Sequence, residues 1–272
     1  MFSSLLLALR EGLEAALVIG ILLGAIRKMN LSHLRAWIWA GVGAALLLSA
    51  AAALTLNAIG AELEGNADAV FEGAMMILAA VLLTWMILWM GRQSRYLREN
   101  IEEGVRTAAN RDSRGAMFLV AFTAVGREGI ELALFLMAAR FASEPMAALL
   151  GTVAGLSLAV LLGYLIFASA YRLNLQRFFL VTNIMLVLFA AGLLGHGVHE
   201  FNEAGIIPPG IEHVYDISML LPETSVIGQL MTSLFGYNGN PSLAEMLAYV
   251  LFLVVLSGIT ILRLRTAGQP AR

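Results

Sequence analysis

The chain contains no cysteine. Disulfides, thiolate metal centres and thiol catalysis are therefore excluded. Charge is scarce as well. Only 13% of the 272 residues are Asp, Glu, Lys or Arg, against about 25% in soluble domains. No basic stripe is interleaved with aromatics, which argues against nucleic acid as a partner. The H-E-x-x-H pattern of zinc peptidases is also missing, since "HGVHE" at 196–200 carries those residues in another order. Finally, the N-terminus lacks the basic region and small-residue cleavage site of a signal peptide, so its apolar segment reads as a retained helix.

What is present is apolar sequence in long runs, 60% of the chain. A hydrocarbon core of about 30 Å needs roughly 20 apolar residues in a helix. Seven such spans are expected, at about 2–26, 36–57, 70–90, 115–139, 146–170, 178–198 and 244–264. Runs of this length are not the short alternating strands of a barrel. The expected fold is an all-α polytopic membrane protein.

Orientation follows from the seventeen Lys and Arg residues. Arg10 and Arg127 lie inside spans, and fourteen others fall in alternate connections that share one side of the membrane. Only Arg140 falls on the other side. The positive-inside rule makes the first side cytoplasmic, with the N-terminus outside and the C-terminus inside. The connection 199–243 on the outer side carries acids but no Lys or Arg. Its length suggests a functional or docking surface, and Asn238–Gly239 marks a turn.

Two stretches break the apolar pattern. "LREGLEAALV" at 9–18 and "REGIELALFL" at 127–136 each carry one arginine and two glutamates in mid-span. They match position for position: Arg10 with Arg127, Glu11 with Glu128, Gly12 with Gly129, Glu14 with Glu131. The first span runs inward and the fourth outward. Three spans per unit then make the two units inverted repeats, a transporter plan with its site near the midplane. The organisation expected is a first three-helix repeat over 1–90, a cytoplasmic loop over 91–114 and a second, inverted repeat over 115–198. An extracytoplasmic loop over 199–243 and an extra seventh helix with a cytoplasmic tail over 244–272 complete the chain. The loop before span four, rich in both signs of charge, could form a short interfacial helix.

On a helix Glu11 lies about 100° and Glu14 about 40° from Arg10, so all three share a face. Gly12 and Gly129 remove bulk beside them and would let a partner helix approach. Six charges at membrane depth would cost about 3 kcal/mol each. They must meet one another, a watery cavity or an ion. Four glutamates and two arginines leave a charge of −2, which a divalent cation would neutralise. Oxygen donors suit harder cations: iron, manganese, magnesium or calcium. An Arg–Glu network that merely joined helices would more naturally balance its charges.

Further acids and imidazoles stand near the outer face. Glu64, Asp68 and Glu72 form an i, i+4, i+8 stripe into span three, a funnel for cations or a solvated helix start. His196, His199, Glu200 and Glu203 cluster at the end of span six, where they could catch a metal ion. Gly20/Gly24 and Gly151/Gly155 are GxxxG pairs suited to close helix packing.

The paired R-E-G-[LI]-E motifs resemble those of the oxidase-dependent iron permeases, fungal and bacterial. "EGAMMILAAVLLTWMILWM" at 72–90, "AAGLLGHGVHEFNEAGIIP" at 190–208 and "LFGYNGNPSLAEMLAYVLF" at 234–252 resemble the bacterial branch. The resemblance implies a cytoplasmic (inner) membrane permease that takes Fe2+ or Fe3+ into the cell. It implies Glu11, Glu14, Glu128 and Glu131 as carboxylates of the iron path, with Arg10, Arg127, Gly12 and Gly129 in support. Iron is then a transported substrate, with no permanently bound cofactor and no catalytic residue. A separate extracytoplasmic oxidase or iron-binding protein is the implied partner, besides membrane lipid. The alternatives are a permease for another divalent metal, such as lead or manganese, and a non-transporting membrane scaffold.

Overall fold

The computed structural model describes residues 1–93, 113–141, 145–167, 175–222 and 225–267. Regular structure among them is entirely helical. Helix α1 spans Phe2–Lys28, α2 Arg35–Glu62, α3 Asn66–Gln93 and α4 Arg114–Phe141. Helix α5 spans Pro145–Phe167, α6 Leu175–Glu203, α7 Val226–Phe235 and α8 Leu243–Ala267. The interfacial helix expected between spans three and four falls largely on 94–112, outside the described residues.

Five segments are long and apolar enough to cross a bilayer: Ser32–Gly60, Asn66–Leu88, Pro145–Ile166, Arg177–Glu203 and Leu243–Leu262. Helices α1 and α4, 27 and 28 residues long, match them in length but hold the charged motifs. The chain is a multi-pass membrane protein. Leu47, Val160 and Leu251 on α2, α5 and α8 are largely exposed, as a solvent of acyl chains allows.

Local chemistry sets the helix ends. Arg27 and Lys28 occupy the last turn of α1, where the helix dipole favours cations. Asn30 then adopts φ 57°, and Leu31 N–H bonds back to Ile26 O at 2.9 Å, a left-handed stop.

The described helices divide into two compact units. The first comprises Met1–Glu62, Trp89–Arg140 and Glu144–Thr182, which includes α1, α2, most of α4 and α5. Its core joins Val18, Leu22 and Ile26 of α1 to Ile38, Val42 and Ala45 of α2 and to Met117, Ala121 and Val125 of α4. A smaller cluster sets Leu9 and Leu13 of α1 against Ala159 of α5.

Glycines mark where these helices approach most closely, and the contacts come in matched pairs. A methyl group at Gly151 would strike Met1 O and Leu5 N; one at Gly41 would strike Phe118 O and Phe122 N. Gly12 abuts Ala159, and Gly129 abuts Ser49. Met1 and Phe118, Leu5 and Phe122, and Gly12 and Gly129 are each 117 positions apart. Gly41 and Gly151, and Ser49 and Ala159, are each 110 apart. The difference of seven arises between the paired helices, where α4 ends earlier than its counterpart α1 and its connection to the next helix is shorter. Thus α1 meets α5 as α4 meets α2. Of the GxxxG pairs, Gly151 and Gly155 do sit against α1, whereas Gly24 has no neighbour within 4 Å. At the Gly20/Gly24 pair a methyl group on Gly24 would meet open space, whereas Gly20 is buried.

The second unit contains Leu63–Leu88, which holds most of α3, together with α6 from Asn183, α7 and α8. Helices α3 and α6 touch at Gly73 and Gly197, where a methyl group at Gly73 would lie 2.9 Å from Gly197 O. Two features differ from the sequence expectation for 199–243. Helix α6 continues to Glu203, and α7 is a separate ten-residue helix. Ser225 caps α7 by accepting from Gly228 N at 2.9 Å, and Gly236, at φ 64°, ends it. The turn at Asn238 is present, with Asn240 N donating to Asn238 Oδ1 at 2.8 Å.

Candidate metal centre

Helices α1 and α4 each carry their motif in mid-helix, and both motifs make the same internal contact. Arg10 Nε lies 3.2 Å from Glu14 Oε1, and Arg127 Nε lies 2.8 Å from Glu131 Oε1. Both are i, i+4 pairs, which an α-helix brings onto one face. Their surroundings differ. The Arg10 side chain is 0% exposed, whereas that of Arg127 is 39% exposed. The second pair forms a directed hydrogen bond from Arg127 Nε to Glu131 Oε1.

The remaining carboxylates converge. Glu11 of α1 and Glu128 and Glu131 of α4 each offer one oxygen, and the three atoms lie within 4.8 Å of one another. Two oxygens bound to one ion cannot stand farther apart than twice the metal–oxygen distance, about 4.2 Å at 2.1 Å and about 5 Å at 2.5 Å. The 4.8 Å bound falls inside the larger of these limits, while an ion bound at 2.1 Å would need the oxygens to draw together by about 0.6 Å. Glu14 stands outside this trio, although it interacts electrostatically with Glu128 and Glu131.

Burial sharpens the chemistry. Glu11 is 1% exposed and Glu128 8%. Neither oxygen of Glu11 has a hydrogen-bond partner, and nor does Glu128 Oε2. An ionised carboxylate only accepts hydrogen bonds. Buried acceptors facing further acceptors are costly until a cation or proton stands between them. A cation or a proton among these carboxylates would relieve that cost.

Gly12 and Gly129 sit in the helix contacts described above, against Ala159 and Ser49. Ser49, a buried residue of α2, donates to Ala45 O at 2.9 Å. Sequence reasoning passed over it, since one serine in an apolar helix carries little signal.

The acids and histidines expected near the outer face lie in the second unit. His199 is gripped on both nitrogens, with Nδ1 2.9 Å from Glu245 Oε1 and Nε2 3.3 Å from Glu203 Oε1. His196 Nδ1 turns instead to Gly192 O at 3.0 Å. Glu200 and Asp68 interact electrostatically. Glu64 is exposed and Glu72 half-buried.

Glu245 is the polar residue missed here. It is 4% exposed and accepts from Asn238 Nδ2 at 2.8 Å and Ser242 N at 3.0 Å. Ser242 Oγ in turn accepts from Glu245 N at 3.2 Å. This is a capping box, and "SLAE" at 242–245 spells it.

The chain matches the iron permease FTR1 family over residues 1–268. It is 34% identical over 256 residues to the ferrous iron permease EfeU of Escherichia coli strain UTI89, covering 93% of each chain. It is 30% identical to EfeU of Yersinia pestis, over 93% of this chain and 91% of that one. No solved structure matches. On this evidence the chain belongs to the iron permease FTR1 family, whose members are transporters and not enzymes.

Proposed function

We propose that this chain carries iron through the cytoplasmic membrane into the cell, with the ion held midway by Glu11, Glu128 and Glu131. The observation that carries this reading is the trio itself: three carboxylate oxygens from two helices within 4.8 Å, with both Glu11 oxygens buried and unpartnered. Glu14 completes the charge. With Arg10 and Arg127 the four glutamates sum to −2, matched to one divalent ion. The ferrous ion is the favoured cargo, supported by the name of the relatives.

The path is an inverted pair of repeats with the N-terminus outside and the C-terminus inside. The matched glycine contacts support it, because α1 on α5 repeats as α4 on α2. Alternating access then needs the α1 and α4 motifs to be exposed to each side in turn. Arg10 and Arg127 hold Glu14 and Glu131 and limit repulsion while the site is empty. The acids and histidines near Glu203 serve to gather cations at the outer face. A separate extracytoplasmic iron-binding protein supplies the ferrous ion; an oxidase in that place would deliver ferric iron instead.

Reconstituted liposomes test this reading. Radioactive iron should enter vesicles holding the parent chain, and a Glu11→Gln, Glu131→Gln double variant should lose that flux. Equal flux through both would reduce the motifs to helix glue. Manganese or lead outcompeting iron in the same vesicles would favour a permease for another divalent metal.

A further inference from the structure

The segment joining α6 to α8 does not behave as an outer loop. Gly236, at the end of α7, packs against Gly192 of α6 so closely that a side chain on either would collide with the other's backbone. Gly192 lies inside the 27-residue membrane span Arg177–Glu203. With that span centred on a hydrocarbon core of about 30 Å, Gly192 sits about 12 Å inside the nearer boundary. His199 and Glu245, where α8 begins, lie about 10 Å farther out along α6. The chain thus descends beside α6 and climbs again to start α8.

The descent is hydrogen-bonded to the climb. Leu243 N donates to Ile211 O, Val214 N to Pro241 O and Ile217 N to Gly239 O, all at 2.9–3.1 Å. Tyr237 Oη donates to Leu221 O at 3.0 Å, and Thr232 Oγ1 to Tyr237 O at 3.0 Å. Irregular backbone at membrane depth needs such internal partners. The residue types agree. Between Asp216 and Glu245 the only charged residue is Glu223. Most of the large outward side chains are apolar, with Met219 97% exposed, Leu220 87%, Val226 76% and Ile227 61%; the polar residues exposed among them, Ser218 and Gln229, are uncharged. A ten-residue apolar helix is too short to span a bilayer and is the length of a re-entrant one.

We propose that Ile217–Leu221, α7 and Gly236–Ser242 form a re-entrant hairpin, with Met219, Leu220, Val226 and Ile227 immersed in lipid acyl chains. The occupant is lipid because the contact with Gly192 sets the hairpin at hydrocarbon depth, beside the apolar surface of the spans. This holds whether or not the glutamate trio carries iron.

The absence of cysteine makes the test direct, since single cysteines need no background removed. Met219→Cys, Leu220→Cys, Val226→Cys and Ile227→Cys are each spin-labelled in the full chain, in phosphatidylcholine vesicles. Collisions with oxygen and with a neutral nickel chelate are then compared. Exposed Leu161→Cys in α5 serves as the lipid reference and exposed Glu212→Cys as the water reference. These positions are on the surface, and monodispersity before reconstitution checks each fold. The expected result is oxygen exceeding the nickel chelate several-fold, as at the Leu161 site. Nickel collisions matching those at the Glu212 site would overturn the proposal in favour of a water-facing surface. Low collision with both probes would overturn it in favour of a covering protein.

Discussion

Glu11 and Glu128 lie 117 positions apart, yet their carboxylates meet in the trio completed by Glu131. Both are buried, and three of their four oxygens lack hydrogen-bond partners. Such an arrangement is unfavourable without a cation, so binding and apo stability should respond in opposite directions to one substitution. Glu11→Gln removes one negative charge and supplies two donors to the facing carboxylates. The ion-free protein in detergent should gain about 1–3 kcal/mol, seen as a higher unfolding temperature. Iron flux should fall by about tenfold or more, which corresponds to 1.4 kcal/mol or more of lost interaction. A loss of stability together with unchanged flux would make the contact structural.

The two arginines repeat in sequence but not in surroundings, so their removal should not cost the same. Arg10→Ala leaves Glu14 buried without its ion-pair partner, at a cost of about 3–5 kcal/mol. Arg127 is 39% exposed, and water in the proposed ion path can replace part of its role. Arg127→Ala should cost about 1 kcal/mol or less. Unfolding of the two purified variants side by side measures the gap, and equal losses would deny the asymmetry.

Much of this was legible in the sequence because membrane depth makes charge conspicuous. Arg10, Glu11 and Glu14 stand out in an apolar helix, and their recurrence at 127–131 announces a pair. Helix spacing also placed each arginine on one face with its two glutamates. What the sequence could not divide was labour between equivalent residues. Glu131 joins the trio while Glu14 stays with Arg10, a distinction that depends on how α1 and α4 face each other. Glu245 was legible in principle through its capping box, but a first-turn acid ordinarily answers only to the helix dipole. The depth of α7 was not, because it rests on Gly192 meeting Gly236 across 44 positions of chain.

The contact between Gly129 and Ser49 leaves no room for a side chain. Gly129→Ala should overpack it and destabilise the protein by about 1–3 kcal/mol. Ser49→Gly in the same chain removes the colliding group, and stability should return in part. The matched contact between Gly12 and Ala159 should show the same rescue for Gly12→Ala with Ala159→Gly. Two double-mutant cycles with coupling of about 0.5 kcal/mol or more would tie both motifs to equivalent helix crossings. Additive losses at either site would mean that the glycine serves something other than this approach.

Glu245 anchors the start of α8 through three donors: the His199 ring, the Asn238 amide and the Ser242 backbone. Glu245→Gln preserves size and removes the charge. One amide oxygen can still accept, while its NH2 now faces a donor, so at least one of the three bonds must be given up. Each buried donor left unmade costs about 1–3 kcal/mol. The loss should be local, because the same groups fix the turn at Asn238 and the cap at Ser242. Amide hydrogen exchange of the variant should therefore quicken in the first turn of α8 and around Asn240, with α1 and α4 unchanged. Exchange that quickened throughout the chain would make Glu245 part of a global core instead.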